Sequence, residues 1–173
     1  MQLSKDLILE YSKRYDSRPE AASDIKVEKE LREWFISNRF LDRVHFIKLG
    51  VWKSPRTEGH YKHRLNTDVR IKELTSIALA SKDEYIRIMA PQLLRGVSWG
   101  VASTILHFAF PDEYMILDFR AVWSLEWERP KQYDFDFWQK YTKRAKELSE
   151  ELNVPIRTLD KALWQYSKEN QKK

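Results

Sequence analysis

The sequence predicts an all-α fold, and two observations support this. Apolar residues recur at helical spacing along most of the chain, and no segment alternates long enough to indicate a sheet. Only four glycines occur in 173 residues, and residues that cap or end helices separate the apolar segments. Apolar residues make up 42% and charged residues 33% of the chain, as in a globular domain with its own core. We therefore expect residues 1–173 to form one domain.

Three helices are expected before residue 50. Pro19 separates the first from the second, which is expected to begin with Ser23 or Asp24 as its cap. Gly50 stands where the third helix is expected to end, and residues 51–66 read as a basic loop. The apolar positions of the three helices are Leu3, Leu7 and Tyr11, then Val27, Leu31, Trp34 and Phe35, then Leu41, Val44 and Ile47.

Two further helices are expected between residues 67 and 91. Thr67 is placed to cap the first of them, and Ser81 with Glu84 forms a capping-box pattern for the second. Pro91 ends or kinks that second helix. Their apolar positions are Ile71, Leu74 and Ile77, then Tyr85, Ile88 and Met89.

Residues 94–118 hold the most informative pattern. Gly96 and Gly100 bracket a turn, and residues 101–108 continue as a helix until Pro111. Asp118 follows a short apolar run, residues 115–117, and precedes another apolar helix. A glycine-bracketed turn that feeds a helix directs backbone N–H groups outward, which suits a phosphate. A carboxylate at a helix start suits a developing positive charge, so these parts together suit an enzyme that anchors DNA and acts on one nucleotide.

Two long helices complete the chain after a polar link that starts at residues 129–130. Asp134 or Asp136 is expected to cap the first, and Asn153 with Pro155 to start the second. Their apolar faces are Trp138, Tyr141, Ala145, Leu148 and Leu152, then Ile156, Leu159, Leu163 and Tyr166.

The pattern at residues 94–118 resembles the helix-hairpin-helix (HhH-GPD) DNA glycosylases of the endonuclease-III and adenine-glycosylase type. That family has a leucine-x-glycine-valine-glycine hairpin, a helix that opens with small residues, and a catalytic aspartate 22 positions after the first hairpin glycine, the distance from Gly96 to Asp118 here. The matching positions are Leu94, Arg95, Gly96, Val97, Ala102, Leu117 and Asp118. The resemblance implies two helical lobes with a cleft between them, a hairpin near residues 94–101, and a catalytic helix that starts near residue 118.

This chain departs from the family pattern at three points. Ser98 replaces the second hairpin glycine, so the turn is expected to be looser. Gly100 stands where bifunctional members carry a nucleophilic lysine, which implies a monofunctional glycosylase that uses water. The chain has no cysteine, so it cannot hold the family's iron–sulfur cluster.

Composition excludes other classes of function. Without cysteine there are no disulfides, no thiol catalysis and no thiolate zinc sites, and a cytoplasmic location is expected, with nucleoid association in a prokaryote. No stretch approaches the roughly 18 apolar residues of a membrane span. The net charge of +5 permits an anionic partner such as double-stranded DNA. We expect no metal and no other cofactor, and the sequence names no protein partner.

Each candidate residue also has a purely structural interpretation. Asp118 is the expected catalytic residue, but aspartate is also a common N-cap. Residues 95–100 (Arg95, Gly96, Val97, Ser98, Trp99 and Gly100) are the expected phosphate anchor, or an ordinary turn. In the basic loop, Lys53 and Arg56 are expected on phosphates and Trp52 as a wedge in the duplex, or tucked into the core. His107 either lines the base pocket or is a packed histidine.

The function expected from this pattern is hydrolysis of the N-glycosidic bond of a damaged, mispaired or modified base in DNA. One alternative is a DNA-binding domain that keeps the hairpin and has lost excision. Another is a helical protein-interaction domain whose basic charge is incidental.

Overall fold

The computed structural model describes residues 3–172, and all regular structure in that range is helical. The expected all-α fold is confirmed, while residues 1, 2 and 173 of the expected domain lie outside the described range. No helix within it is long and apolar enough to cross a membrane. The α-helices are α1 (Lys5–Asp16), α2 (Ala21–Ser37), α3 (Arg43–Lys53), α4 (Glu58–Tyr61), α5 (Asp68–Ala80), α6 (Glu84–Met89), α7 (Trp99–Ala109), α8 (Phe119–Ser124), α9 (Phe135–Leu152) and α10 (Ile156–Asn170), and 3₁₀ turns cover Pro55–Thr57 and Ala90–Leu93.

The chain divides into two compact units. The central lobe is Ser23–Phe110, and the terminal lobe combines the chain up to Ala22 with the chain from Pro111 onward. In the terminal lobe, α10 packs against α1, α8 and α9. In the central lobe, α3 packs against α5 and α7, while α6 packs against α5 and α7.

The two C-terminal helices form largely as the sequence predicts. Asp134 caps α9, since its Oδ1 accepts a hydrogen bond from the Phe137 amide at 2.8 Å. The expected apolar face of α9 is buried at Trp138, Tyr141, Ala145 and Leu148. Asn153 ends α9 in the left-handed conformation (φ 50°, ψ 57°) and does not start α10, which begins at Ile156 after Pro155. Asparagine is one of the few residues that adopt this conformation readily.

Two expected helix starts, those of α2 and α6, are wrong. The second helix begins at Ala21, so Ser23 and Asp24 lie inside its first turn and do not cap it. The cap of α6 is Asp83, whose Oδ1 accepts from the Ile86 amide at 3.0 Å. Ser81 instead ends α5, and its hydroxyl accepts from the Asp83 amide at 3.0 Å. The capping-box pattern therefore places the cap two residues too early.

The expected end of the third helix at Gly50 is also wrong. Gly50 is buried within α3, which continues to Lys53. A Cβ atom at Gly50 would lie 2.7 Å from Cδ2 of Tyr61, so the glycine permits close packing of a ring. The expected loop at 51–66 is largely short helical turns, because α3 reaches into it and α4 follows.

Candidate functional site

The hairpin turn lies between the Ala90–Leu93 3₁₀ turn and α7. The Val97 amide donates to the Leu94 carbonyl at 3.2 Å, and Gly96 adopts φ +91°, a region that favours glycine. Ser98 is the N-cap residue of α7, although its hydroxyl makes no capping hydrogen bond. Gly100 therefore lies inside the first turn of α7 and does not bracket the hairpin as expected. Its carbonyl accepts the Thr104 hydroxyl at 2.7 Å.

Gly96 is also required by the space around it. A Cβ atom there would lie 2.8 Å from Cβ of His60 and 3.0 Å from the ring of Tyr61. Real Cβ atoms essentially never approach another atom as closely as the first of these distances. The hairpin therefore packs directly on α4. Because α4 lies within the basic loop (residues 51–66), the loop and the hairpin form one structural unit.

Asn66 joins these two segments, and sequence reasoning missed it. Its side chain is completely buried. The Nδ2 group donates to the carbonyls of His60 and Tyr61, each at 3.1 Å, and of Arg95 at 2.9 Å. The Oδ1 atom accepts from the Arg95 amide at 2.9 Å. No local pattern marks Asn66, because its partners at Arg95 lie 29 residues away.

The joined segments carry positive charge. The side chains of His60, Arg64 and Arg95 are exposed. Desolvation lowers the pKa of His63, and the positive charges of Arg95, Arg64 and His60 lower it further. A lowered histidine pKa means that His63 is held neutral near neutral pH, as expected in a positive local potential.

The expected phosphate-binding residues all lie in the central lobe. Arg95 and Ser98 are exposed, whereas the Val97 side chain is buried. The first amides of α7, including those of Trp99 and Gly100, have no acceptor within the helix by the nature of a helix start. Two residues of the basic loop are also expected to contact phosphates. Of these, Lys53 is the last residue of α3, and Arg56 is exposed on the Pro55–Thr57 turn.

The two expected base-contacting residues are packed against the same ring. Trp52, in the last turn of α3, contacts Phe108 edge to face, with centroids 5.3 Å apart, and stays partly exposed. His107 is completely buried in α7 and also meets Phe108 edge to face at 5.6 Å. The buried position of His107 therefore agrees with its structural interpretation as a packed histidine.

Asp118 lies in the terminal lobe at the start of α8. The preceding residues, 114–117, are all buried, and Asp118 itself has an extended backbone conformation. Its Oδ1 accepts from the Arg120 amide at 3.0 Å, so the carboxylate caps α8. The residue remains partly exposed, and the positive end of the α8 dipole lies beside its carboxylate.

The negative charge of Asp118 affects the pKa values of two tyrosines, Tyr133 and Tyr141. Tyr141 is fully buried, and its hydroxyl donates to the Ile116 carbonyl at 2.8 Å. Burial raises the pKa of Tyr141 well above its usual value, and the charges of Asp160 and Asp118 raise it further. Burial also raises the pKa of Tyr133; Arg129 opposes this rise and the charge of Asp118 adds to it. Both phenols are therefore held neutral beside the carboxylate.

The buried acid Asp160 is paired with Arg157. It is 4% exposed and accepts a hydrogen bond from Arg157 on the same helix. Among residues 3–172, no group of three or more His, Asp or Glu side chains is arranged to hold a metal ion.

These features define an all-α protein with a helix-hairpin-helix turn and a helix capped by an aspartate. No protein-family model and no curated protein matches the sequence. The structure is similar to the 8-oxoguanine glycosylase/lyase of Methanocaldococcus jannaschii, solved in complex with a 15-mer DNA containing 8-oxoguanine. The TM-score is 0.53 at 16% identity, over 98% of this chain and 84% of that chain. The chain therefore has a fold similar to that of this glycosylase/lyase.

Proposed function

We propose that this protein is a DNA base-excision enzyme that hydrolyses the N-glycosidic bond of a damaged, mispaired or modified base. The observation that carries the proposal is the partly exposed Asp118 carboxylate at the start of α8, in a chain that has a glycosylase fold. The structural neighbour acts on DNA, and a similar partner suits the basic hairpin segment of this chain.

Asp118 supplies the chemistry in this proposal. Breaking the bond between C1′ and the base nitrogen leaves positive charge on the sugar, as in other glycoside cleavages. A fixed carboxylate stabilises that cation while a water oxygen attacks C1′, and the water gives up a proton as the base departs with the bonding electron pair. Capping and catalysis are compatible in this proposal, because the hydrogen bond from the Arg120 amide is made to only one of the two carboxylate oxygens.

In this proposal the hairpin binds the phosphate backbone of the DNA. The left-handed turn at Gly96 and the first amides of α7 form a group of N–H donors that suits a phosphate. Arg95 adds a positive charge beside them, and Lys53 and Arg56 add further charge in the same lobe. The target base is swung out of the duplex, at a cost of a few kcal/mol that is lowest for a mispaired base. In this proposal Trp52, which keeps an exposed surface, fills the resulting gap.

The test of this function is a panel of duplexes, each carrying one lesion, mismatch or modified base. We expect release of the free base from at least one duplex and an abasic product that breaks only after alkali, because Gly100 replaces the lysine of bifunctional family members. Borohydride added during the reaction is expected to trap no covalent protein–DNA adduct. A trapped adduct would show that another lysine acts as nucleophile. Salt-dependent duplex binding without release from any duplex would favour the non-catalytic DNA-binding alternative.

The proposed role of the hairpin leads to a separate prediction about duplex DNA binding. Arg95→Glu is expected to weaken binding to all duplex sequences alike and to reduce the slope of log affinity against log salt by about 1, the loss of one phosphate contact. Only the exposed side chain is changed, since Asn66 holds the Arg95 backbone. Fluorescence anisotropy at several salt concentrations measures the slope. Arg39→Glu makes the same charge change at another exposed position of the central lobe, and an equal effect in both variants would place the contact elsewhere.

A further inference from the structure

The terminal lobe contains a cavity that the proposed chemistry does not use. Its volume is about 450 Å³, within the range of small-molecule sites. It lies at the end of α8 opposite to Asp118, which caps the start of that helix. Its lining residues are Trp123, Ser124, Glu126, Trp127, Glu128 and Tyr166.

Three aromatic rings form the walls, and their positions are fixed by packing. Trp123 stacks on Tyr166 with centroids 6.0 Å apart and an interplanar angle of 28°. Trp127 meets Phe137 edge to face at 5.8 Å and Tyr141 at 6.4 Å. The hydroxyl of Ser124 donates to the Leu163 carbonyl at 2.6 Å, which ties the end of α8 to α10. The walls are therefore set before a ligand arrives.

The charge of the lining is negative in a chain whose net charge is positive. Glu126 and Glu128 contribute carboxylates, and no lining residue is cationic. Two carboxylates repel a phosphate backbone, so the chemistry of this cavity is opposite to that of the hairpin.

The backbone conformation of Glu126, one of the two acidic lining residues, is unusual for a residue other than glycine. Glu126 has φ +60° and takes the place after the helix that glycine usually fills. The Trp127 amide donates to the Val122 carbonyl at 3.2 Å, and the Glu126 amide to Trp123 at 2.9 Å, which is the Schellman pattern. A non-glycine residue in this conformation carries a conformational cost. The chain thus carries a carboxylate where glycine would be more stable.

We propose that this cavity binds a methylated ammonium ion. Aromatic faces attract cations and also contact the methyl groups favourably, and cages of aromatic rings are a known way to bind quaternary ammonium ions. The carboxylates of Glu126 and Glu128 supply the compensating charge. An anion would be repelled by these carboxylates.

Choline is the probe for this site, and its carbon isostere, in which a tert-butyl group replaces the trimethylammonium group, is the matched neutral ligand. We expect the intact protein to bind choline at least about tenfold more tightly than the isostere. Calorimetric titration or NMR shift titration of the tryptophan indole signals measures both affinities. Equal affinities, or no detectable choline binding, would overturn the proposal.

Two substitutions locate the site. Glu128→Gln, at an exposed position, is expected to weaken choline binding by about fivefold, and Trp123→Leu by at least about tenfold. Glu150→Gln removes the same charge from an exposed position on α9 and is expected to leave binding unchanged. If Trp123→Leu does not fold, Glu128→Gln and the isostere still decide the question. Choline binding that survives Glu128→Gln unchanged, or falls equally in Glu150→Gln, would refute the assignment. Base excision is not measured, so this result is independent of the role of Asp118.

Discussion

Replacing Asp118 with asparagine is expected to slow base release by about 100-fold to 1,000-fold, or roughly 3 kcal/mol in the barrier. Asparagine has almost the same shape and is as good an N-cap as aspartate, so the hydrogen bond to the Arg120 amide has a replacement. Only the negative charge is lost, and that charge is what stabilises the sugar cation. Single-turnover release from the best duplex of the panel measures the effect.

Asp134→Asn is the matched control for this experiment. Asp134 caps α9 through the same kind of hydrogen bond, which its Oδ1 accepts from the Phe137 amide at 2.8 Å. A general effect of losing a cap carboxylate would therefore lower activity in both variants. We expect Asp134→Asn to retain excision and both variants to bind duplex DNA with unchanged affinity. Full base release by Asp118→Asn would remove the proposed mechanism.

The features that the sequence predicts well are set by local interactions. Thr67 and Asp134 cap helices as expected, since each accepts a hydrogen bond from an amide three residues later. Asp118 also caps a helix, α8, after a buried run, and it accepts from the amide two residues later. Helices with a strong apolar stripe, such as α9 and α10, are found close to their expected positions because one face packs on the core.

The features that the sequence predicts poorly are set by distant contacts. Gly50 resembles a helix end, yet α3 continues through it, and the missing side chain leaves the space that the ring of Tyr61 fills. No local sequence pattern near residue 50 predicts that the ring of Tyr61 will pack there. In the same way, the basic segment 51–66 reads as an independent loop, and only the buried amide of Asn66 reveals that it holds the hairpin.

The hairpin also shows how one residue can be predicted for only part of its role. The sequence predicts that Gly96 allows a tight turn, and its φ of +91° agrees. The tight contact of Gly96 with His60 and Tyr61 follows from tertiary packing and has no local signal. Gly100, which looks equivalent in the sequence, lies within α7. Spacing alone therefore does not distinguish a glycine that the turn requires from one inside a helix.

Replacing Gly96 with valine is expected to destabilise the protein by about 3 kcal/mol or more. Two independent costs act together. A β-branched residue is strongly disfavoured at positive φ, and its Cβ would lie 2.8 Å from Cβ of His60. Relief of that overlap must move the hairpin away from α4 and stretch the hydrogen bonds of Asn66 to Arg95. Denaturant unfolding measures the free energy, and duplex affinity is expected to fall for every sequence alike.

Gly59 provides the control, because it lies in α4 next to the same contact. A Cβ atom there meets nothing within 4 Å, and the residue is exposed. Gly59→Ala is therefore expected to be neutral or to stabilise the protein by up to about 1 kcal/mol, since alanine loses less backbone entropy in a helix. Equal stability of Gly96→Val and the unmodified protein would show that the turn tolerates a side chain. In that case the backbone donors of the hairpin would not depend on this glycine, and the proposed phosphate anchor would lose its structural basis.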